Sequence, residues 1–169
     1  MESTLKLYSF KFVNAKAYLF ASLFAAGNLV FPQLCHLMPM GGLIWLPIYF
    51  FTLIAAYKYG IVTGLLTAIA SPLLNYFIFG MPGAEMLPVI LIKSTLMAIA
   101  AGYLAQRTRQ ITLMNLAGII LFYQGIGMIA ELAISGSFMA AIQDIRIGFP
   151  GMLLQLFGGY FALKALAKW

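Results

Sequence analysis

The residue whose type and position most clearly predict chemistry is Lys93, a lysine inside a long apolar segment. It lies nine residues after Ala84, which is roughly 13 Å along a helix at 1.5 Å per residue. A charge at that depth usually lines a cavity or pairs with another buried group. Two roles are therefore predicted for the Lys93 ammonium group. It either holds an anionic or acceptor-rich part of a ligand, or forms a structural pair with Glu131 or Glu85.

Four more polar residues interrupt apolar segments. Gln124 and Glu131 are seven residues apart, which places both on one face of a helix. They predict a polar stripe that faces the interior of a helix bundle; the alternative is a hydrogen bond between packed helices. Asn75 and Gln155 are expected to contribute to the ligand cavity that Lys93 is predicted to line.

His36 is the only histidine and follows the only cysteine, Cys35, in an apolar connection. The histidine either contacts a ligand or is a satisfied structural group. A pair with no second His or Cys is incomplete for zinc or nickel, so we predict no metal site and no cofactor. The sequence has no paired-carboxylate motif, nucleophile elbow, zinc-protease motif or phosphate-binding loop, so we do not expect an enzyme.

The secondary-structure elements that position these residues are expected to lie within a lipid bilayer. Hydrophobic residues make up 63% of the 169 and charged residues only 8%, whereas about 25% of residues in soluble domains are charged. Backbone N–H and C=O groups without hydrogen-bond partners have a high free-energy cost in lipid, so a spanning chain must form helices or a closed barrel. The alternating pattern of a β-barrel is not present in the sequence. We therefore predict an all-α bundle in a single transmembrane domain, residues 1–169. Its six apolar segments are residues 17–31, 43–57, 61–79, 84–105, 111–134 and 147–167, the first ending at Pro32 and the third interrupted at Ser71-Pro72.

The distribution of charge predicts the orientation of these six spans. With both termini in the cytoplasm, eight basic residues lie inside and only Arg146 lies outside. That asymmetry is typical of membrane proteins. The inner residues are Lys6, Lys11, Lys16, Lys58, Arg107, Arg109, Lys164 and Lys168. The outer connections, residues 32–42, 80–85 and 135–146, are longer than the inner ones, so we expect recognition to occur on the outer side.

Small residues recur at every fourth position of the first span, at Ala17, Ala21 and Ala25. Such a stripe lets another helix approach closely. We expect it to dock a partner subunit; the alternative is contact with a neighbouring span of the same chain.

Several of these features together resemble one family. The chain is similar to the substrate-binding membrane subunit, or S component, of energy-coupling factor (ECF) transporters, which import vitamins into prokaryotes. The resemblance covers nearly the whole chain and includes the alanine stripe and the long first outer connection. It also includes the segments Trp45-Leu46-Pro47-Ile48-Tyr49 and Ser71-Pro72-Leu73-Leu74-Asn75, and the small residues Gly60, Gly64 and Ala68.

The resemblance implies a site in the outer half of the bundle, under the first connection. Carried onto this sequence, it implies that substrate contacts His36, Asn75, Lys93, Gln124, Glu131 and Gln155. It further implies location in the cytoplasmic membrane of a prokaryote and a complex with the transmembrane coupling subunit and two ATPase subunits. Nickel- and cobalt-specific members carry a Met-x-His motif that Met1-Glu2-Ser3 lacks, which favours a small organic, vitamin-like solute.

Two other functions are compatible with the sequence. A structural scaffold of the rod-shape, cell-wall type needs partner helices but no cavity, and a Lys93–Glu131 pair in a closed core is expected of it. An intramembrane enzyme that uses His36 and Glu131 is the third alternative, although acid–base catalysis requires positioned neighbours that the sequence scarcely offers.

Overall fold

A computed structural model describes residues 6–167, and within that range the chain is helical without a strand. Met1-Glu2-Ser3 and Lys168, which entered the predictions above, lie outside the described residues. The predicted all-α class is confirmed. The helices are α1 (Ala15–Cys35), α2 (Gly41–Trp45), α3 (Phe50–Tyr59), α4 (Ile61–Phe79), α5 (Leu87–Thr108), α6 (Leu113–Ser135), α7 (Phe138–Ala141), α8 (Gln143–Arg146), α9 (Phe149–Leu153) and α10 (Gly159–Leu166).

Four of these helices, α1, α4, α5 and α6, are long and apolar enough to cross a membrane. Their outward surfaces carry large apolar side chains such as Leu19, Phe77, Leu121 and Ile129. The interior, by contrast, contains polar side chains: thirteen polar or charged residues in the range 6–167 are buried. Apolar residues outside and polar residues inside are the arrangement expected of a multi-pass membrane protein.

The helices run alternately up and down between two ends of the bundle. One end, here called the His36 end, contains the connection after α1, the connection between α4 and α5, and helices α7 and α8. The opposite end, here called the Lys58 end, contains the α3–α4 and α5–α6 turns. Helix α5 lies at the centre and packs against α3, α4 and α6.

Glycine allows the closest helix contact at the Lys58 end. Gly60 joins α3 to α4 with φ of +96°, a conformation that L side chains rarely adopt. One turn later, a Cβ on Gly64 would stand 2.4 Å from the Cβ of Ala56. These two glycines allow α3 and α4 to pair tightly as antiparallel neighbours.

Helix α1 does not end at Pro32 as predicted, but continues to Cys35. Proline has no N–H, so the carbonyl of Asn28, four residues earlier, loses its helical partner. The side-chain nitrogen Nδ2 of Asn75, on α4, donates to that carbonyl over 2.8 Å. A neighbouring helix thus satisfies the oxygen that proline leaves free, which is how helices within membranes tolerate proline.

The interruption predicted at Ser71-Pro72 is likewise absent, and α4 spans residues 61–79 without a break. The Ser71 hydroxyl donates to the carbonyl of Thr67 at 2.6 Å and accepts from Asn28 Nδ2 at 3.0 Å. Asn28 also donates to Thr52 Oγ1, on α3. This buried network joins α1, α3 and α4.

The second and last predicted spans are composite. Residues 41–59 contain α2, a 3-10 turn (Pro47–Tyr49) and α3, with Leu46 in a left-handed conformation at φ of 45°. Residues 149–166 contain α9, a π-helical turn (Leu154–Gly158) and α10. The predicted loop at residues 32–42 is therefore shorter than expected, because its ends belong to α1 and α2.

Candidate functional site

Lys93 is the centre of a buried cluster of charges at the His36 end. Its side chain is 2% exposed, and its Nζ lies 2.5 Å from Glu131 Oε2 and 2.8 Å from Asp144 Oδ2. The predicted alternative of a pair with Glu131 is therefore found, whereas Glu85 is exposed and makes no salt bridge within residues 6–167. Asp144 was not predicted to join the site. These three residues are called the ion triad below.

Three helices bring the ion triad together. Lys93 lies in the second turn of α5, Glu131 in the last turns of α6, and Asp144 on the short helix α8. Gly127, one turn before Glu131, makes room for the lysine, because a Cβ there would stand 2.4 Å from Lys93 Cγ. The close approach of α5 to α6 therefore depends on the absence of a side chain at residue 127.

Of the two alternatives for Lys93, the structure contains the pair with Glu131 and adds a second carboxylate, that of Asp144. Two of the three hydrogen atoms of its ammonium group are donated to carboxylates of the same chain. One cation and two carboxylates have a formal charge of −1. Asp144 joins the pair because helix α8 folds back onto the bundle, a long-range contact that hydropathy does not reveal.

A second buried polar cluster consists of Tyr123, Gln124 and Gln155, here called the glutamine–tyrosine cluster. The Tyr123 hydroxyl donates to Gln155 Oε1 at 2.8 Å, and Gln124 Nε2 donates to the Tyr123 oxygen at 3.1 Å. Gln155 lies in the π-helical turn, a feature that is frequent at functional sites. Its Nε2 is buried and makes no hydrogen bond within the described part of the chain.

A cavity of about 300 Å³ opens at the His36 end; this volume is at the lower end of the range for small-molecule sites. Its wall includes His36 and Asn75, two of the predicted site residues. The rest of the lining is mainly apolar and includes Met40, Met81 and Met86. This space is called the larger cavity.

A smaller cavity of about 60 Å³ lies beside the ion triad. Tyr49, Lys93 and Asp144 line it. It adjoins the larger cavity, because five residues line both spaces: Gly42, Leu43, Ile48, Met86 and Ile90. The arrangement is therefore a mostly apolar cavity beside a small cavity that contacts buried charges.

The six predicted site residues fall into three groups in one half of the bundle. His36 and Asn75 line the larger cavity, Lys93 and Glu131 belong to the ion triad, and Gln124 and Gln155 belong to the glutamine–tyrosine cluster. Asn75 has a structural role as well, since its Nδ2 is donated to Asn28 and Ser71 carbonyls.

Asp144 and Tyr49 are not among the six site residues predicted from the sequence. Asp144 carried a weak signal, because it is one of only four acidic residues in the chain. Tyr49 is 2% exposed and its ring centroid lies 5.3 Å from that of Tyr123. No residue spacing links Tyr49 to the ion triad, so only the folded chain shows the relationship.

The alanine stripe lies mostly within the bundle. Ala17, Ala21 and Ala25 are all buried, so the alternative of packing within the chain describes their main contacts. Ala21 and Ala25 also form the floor of a shallow groove between α1 and α4, here called the α1–α4 groove. The small side chains that the groove exposes are Ser22 and Ala26.

Among residues 6–167, no group of three His, Cys, Asp or Glu side chains is arranged to hold a metal ion. Comparison of the chain with protein-family models, with curated proteins and with solved structures found no match in any of the three.

Proposed function

We propose that the chain is the substrate-binding membrane subunit of an ECF-type importer, which captures a small organic, vitamin-like solute. The observation that carries this proposal is the larger cavity, which adjoins a smaller cavity lined by Lys93 and Asp144. A small-molecule site is typically a mostly apolar chamber with a few convergent polar groups. The larger cavity has that composition, with His36 and Asn75 in its wall, and Lys93 lines the smaller cavity beside it.

The proposed topology has six spans with both termini in the cytoplasm. The four long helices supply four spans, and the composite segments 41–59 and 149–166 supply two. The composite segments contain 19 and 18 residues, close to the roughly 20 residues that a transmembrane helix needs. Lys16, Lys58, Arg107 and Lys164 mark the Lys58 end as the cytoplasmic side in the prokaryotic inner membrane. The larger cavity then faces outward.

The proposed partners are the transmembrane coupling subunit and two ATPase subunits. The chain contains no phosphate-binding loop, so a partner must supply ATP hydrolysis. The α1–α4 groove is the surface proposed for the coupling subunit, because the small side chains of Ser22 and Ala26 permit a close approach of another helix.

A structural scaffold is the second candidate, favoured by one observation. Lys93 and Glu131 form a buried ion pair in the helix core, which is the arrangement expected of a scaffold without a ligand. The importer subunit remains the better proposal, because a scaffold requires neither the larger cavity nor the smaller cavity beside those charges.

The test is what copurifies with the protein in mild detergent. We expect mass spectrometry of the denatured sample to find one small organic solute, and pull-down to recover ATPase subunits. Met86→Trp, which fills the space between the two cavities, should abolish the solute. Met114→Trp, on the exposed surface of α6, is the matched control. Recovery of cell-wall enzymes without solute or ATPase would instead establish the scaffold.

A further inference from the structure

We propose that the solute carries a protonated nitrogen, which the ion triad recognises, and an apolar body, which occupies the larger cavity. The proposal rests on the proposed function and names the chemical class of the solute. Lys93 alone would suggest an anionic solute, whereas the proposed solute is cationic.

The first argument is the charge of the ion triad. Lys93 and Glu131 are 2% exposed and Asp144 is 7% exposed, so their charges are shielded little by water. One ammonium cannot neutralise two carboxylates, and an uncompensated buried charge is strongly unfavourable. A cation that enters the smaller cavity supplies the missing positive charge. An anion at the same place is repelled by the excess carboxylate.

The second argument is the set of polar groups that face the smaller cavity. Tyr49 and Asp144 both line it and are almost fully buried. Asp144 Oδ2 accepts from Lys93, and an ionised carboxylate has lone pairs for more than one donor. The carboxylate of Asp144 and the hydroxyl oxygen of Tyr49 are therefore acceptors for an N–H group of a cation.

The third argument is the character of the larger cavity. Three methionines, Met40, Met81 and Met86, line it together with Pro47. Methionine is flexible and polarizable, and its sulfur makes favourable contacts with aromatic rings. The larger cavity therefore suits an apolar or aromatic body, while the smaller cavity, at about 60 Å³, suits a compact charged group.

The test compares three probes that share a benzene ring and differ in charge: phenethylamine, 2-phenylethanol and 3-phenylpropionate. Binding to the protein in lipid nanodiscs is measured at pH 7 by calorimetry, at probe concentrations up to 10 mM. We expect the amine to bind at least tenfold more tightly than the alcohol or the acid. Asp144→Asn should reduce that preference to less than threefold.

Matched variants separate charge from folding. Asp144→Glu keeps the charge and should retain the preference, and Glu131→Gln should remove it as Asp144→Asn does, since either neutralisation leaves a formally neutral set. Glu85→Gln removes an exposed carboxylate and should change nothing. The thermal unfolding midpoint of each variant identifies any that fail to fold.

Tighter binding of the acid or alcohol, a preference that survives both neutral variants, or no amine binding would each overturn the inference. If the inference fails while the protein still copurifies with a solute and ATPase subunits, the proposed function stands and only the charge class is wrong. If the solute and the ATPase subunits are missing as well, the proposed function fails with it.

Discussion

Asp144 Oδ2 lies 2.8 Å from Lys93 Nζ, although 51 residues separate the two in the sequence. The contact ties the short helix α8, in the connection between α6 and α9, to the middle of the bundle. It also changes the chemistry of the site. With Glu131 alone, Lys93 would form a neutral pair; with Asp144, the set has a formal charge of −1.

Removal of the charge of Lys93 is expected to destabilise the folded protein strongly. Lys93→Met leaves two carboxylates buried side by side without a cation, and breaking a buried pair in this way typically costs about 3–5 kcal/mol. We expect a correspondingly large fall in the free energy of unfolding, measured by denaturation in detergent micelles. Lys16→Met, at an exposed lysine, is the control and should have little effect.

A triple variant tests whether charge is the cause. Lys93→Met combined with Glu131→Gln and Asp144→Asn contains no unpaired charge, so it should recover most of the lost stability. Equal instability of the single and triple variants would show that packing, rather than charge, explains the loss.

Gly127 is predicted to be intolerant of a side chain. In Gly127→Ala the new Cβ meets Lys93 Cγ at 2.4 Å, so α5 and α6 must separate or the lysine must move. Overpacking of this kind typically costs about 1–3 kcal/mol. The effect is measured as a lower thermal unfolding midpoint.

Gly125→Ala is the matched control on the same helix. A Cβ at residue 125 meets no atom within 4 Å, and alanine is the better helix former. We expect this variant to be as stable as the original or slightly more so. Equal destabilisation at residues 125 and 127 would refute the role assigned to the Lys93 contact.

Asn75 is predicted to compensate for Pro32. Asn75→Ala leaves the buried carbonyl of Asn28 without its donor, and an unsatisfied buried group costs about 1–3 kcal/mol. Pro32→Ala restores an N–H four residues after Asn28, which can donate to the same carbonyl. The double variant should therefore be less destabilised than the sum of the two single variants, measured as the coupling energy of a double-mutant cycle. Strict additivity would mean that the two donors do not substitute for each other.

The proposed topology predicts a pattern of chemical labelling. Cys35→Ser provides a background without native cysteine. In that background, Glu85→Cys should react with a membrane-impermeant maleimide in intact cells, because residue 85 lies at the His36 end. Arg109→Cys, at the Lys58 end, should react only after lysis. The reverse pattern would invert the proposed orientation and place the larger cavity on the cytoplasmic side.

The long helices could be predicted closely because hydropathy is a local property. Helix α4 has the predicted bounds, residues 61–79, and α6 differs by two residues at its start and one at its end. The predictions failed where a distant group supplies what the local sequence lacks. Pro32 was predicted to end α1, but the helix continues because Asn75 satisfies the orphaned carbonyl.

The sequence by itself determined that this chain is helical, that its surface suits lipid, and that the polar residues within its apolar segments lie inside. The apolar composition, and the free-energy cost of backbone groups without hydrogen bonds in hydrocarbon, require these three features whichever helices are neighbours. It also singled out Lys93, since a charge inside an apolar segment must be paired or line a cavity.

Only the tertiary structure decided which groups meet Lys93 and what charge the site carries. Helix α8 brings Asp144 to the ammonium, and the 3-10 turn brings Tyr49 to the same small cavity. Electrostatic interactions depend on distance in space rather than on separation along the chain. The sign of the site therefore follows from the folded arrangement of three helices, which no single segment of the sequence contains.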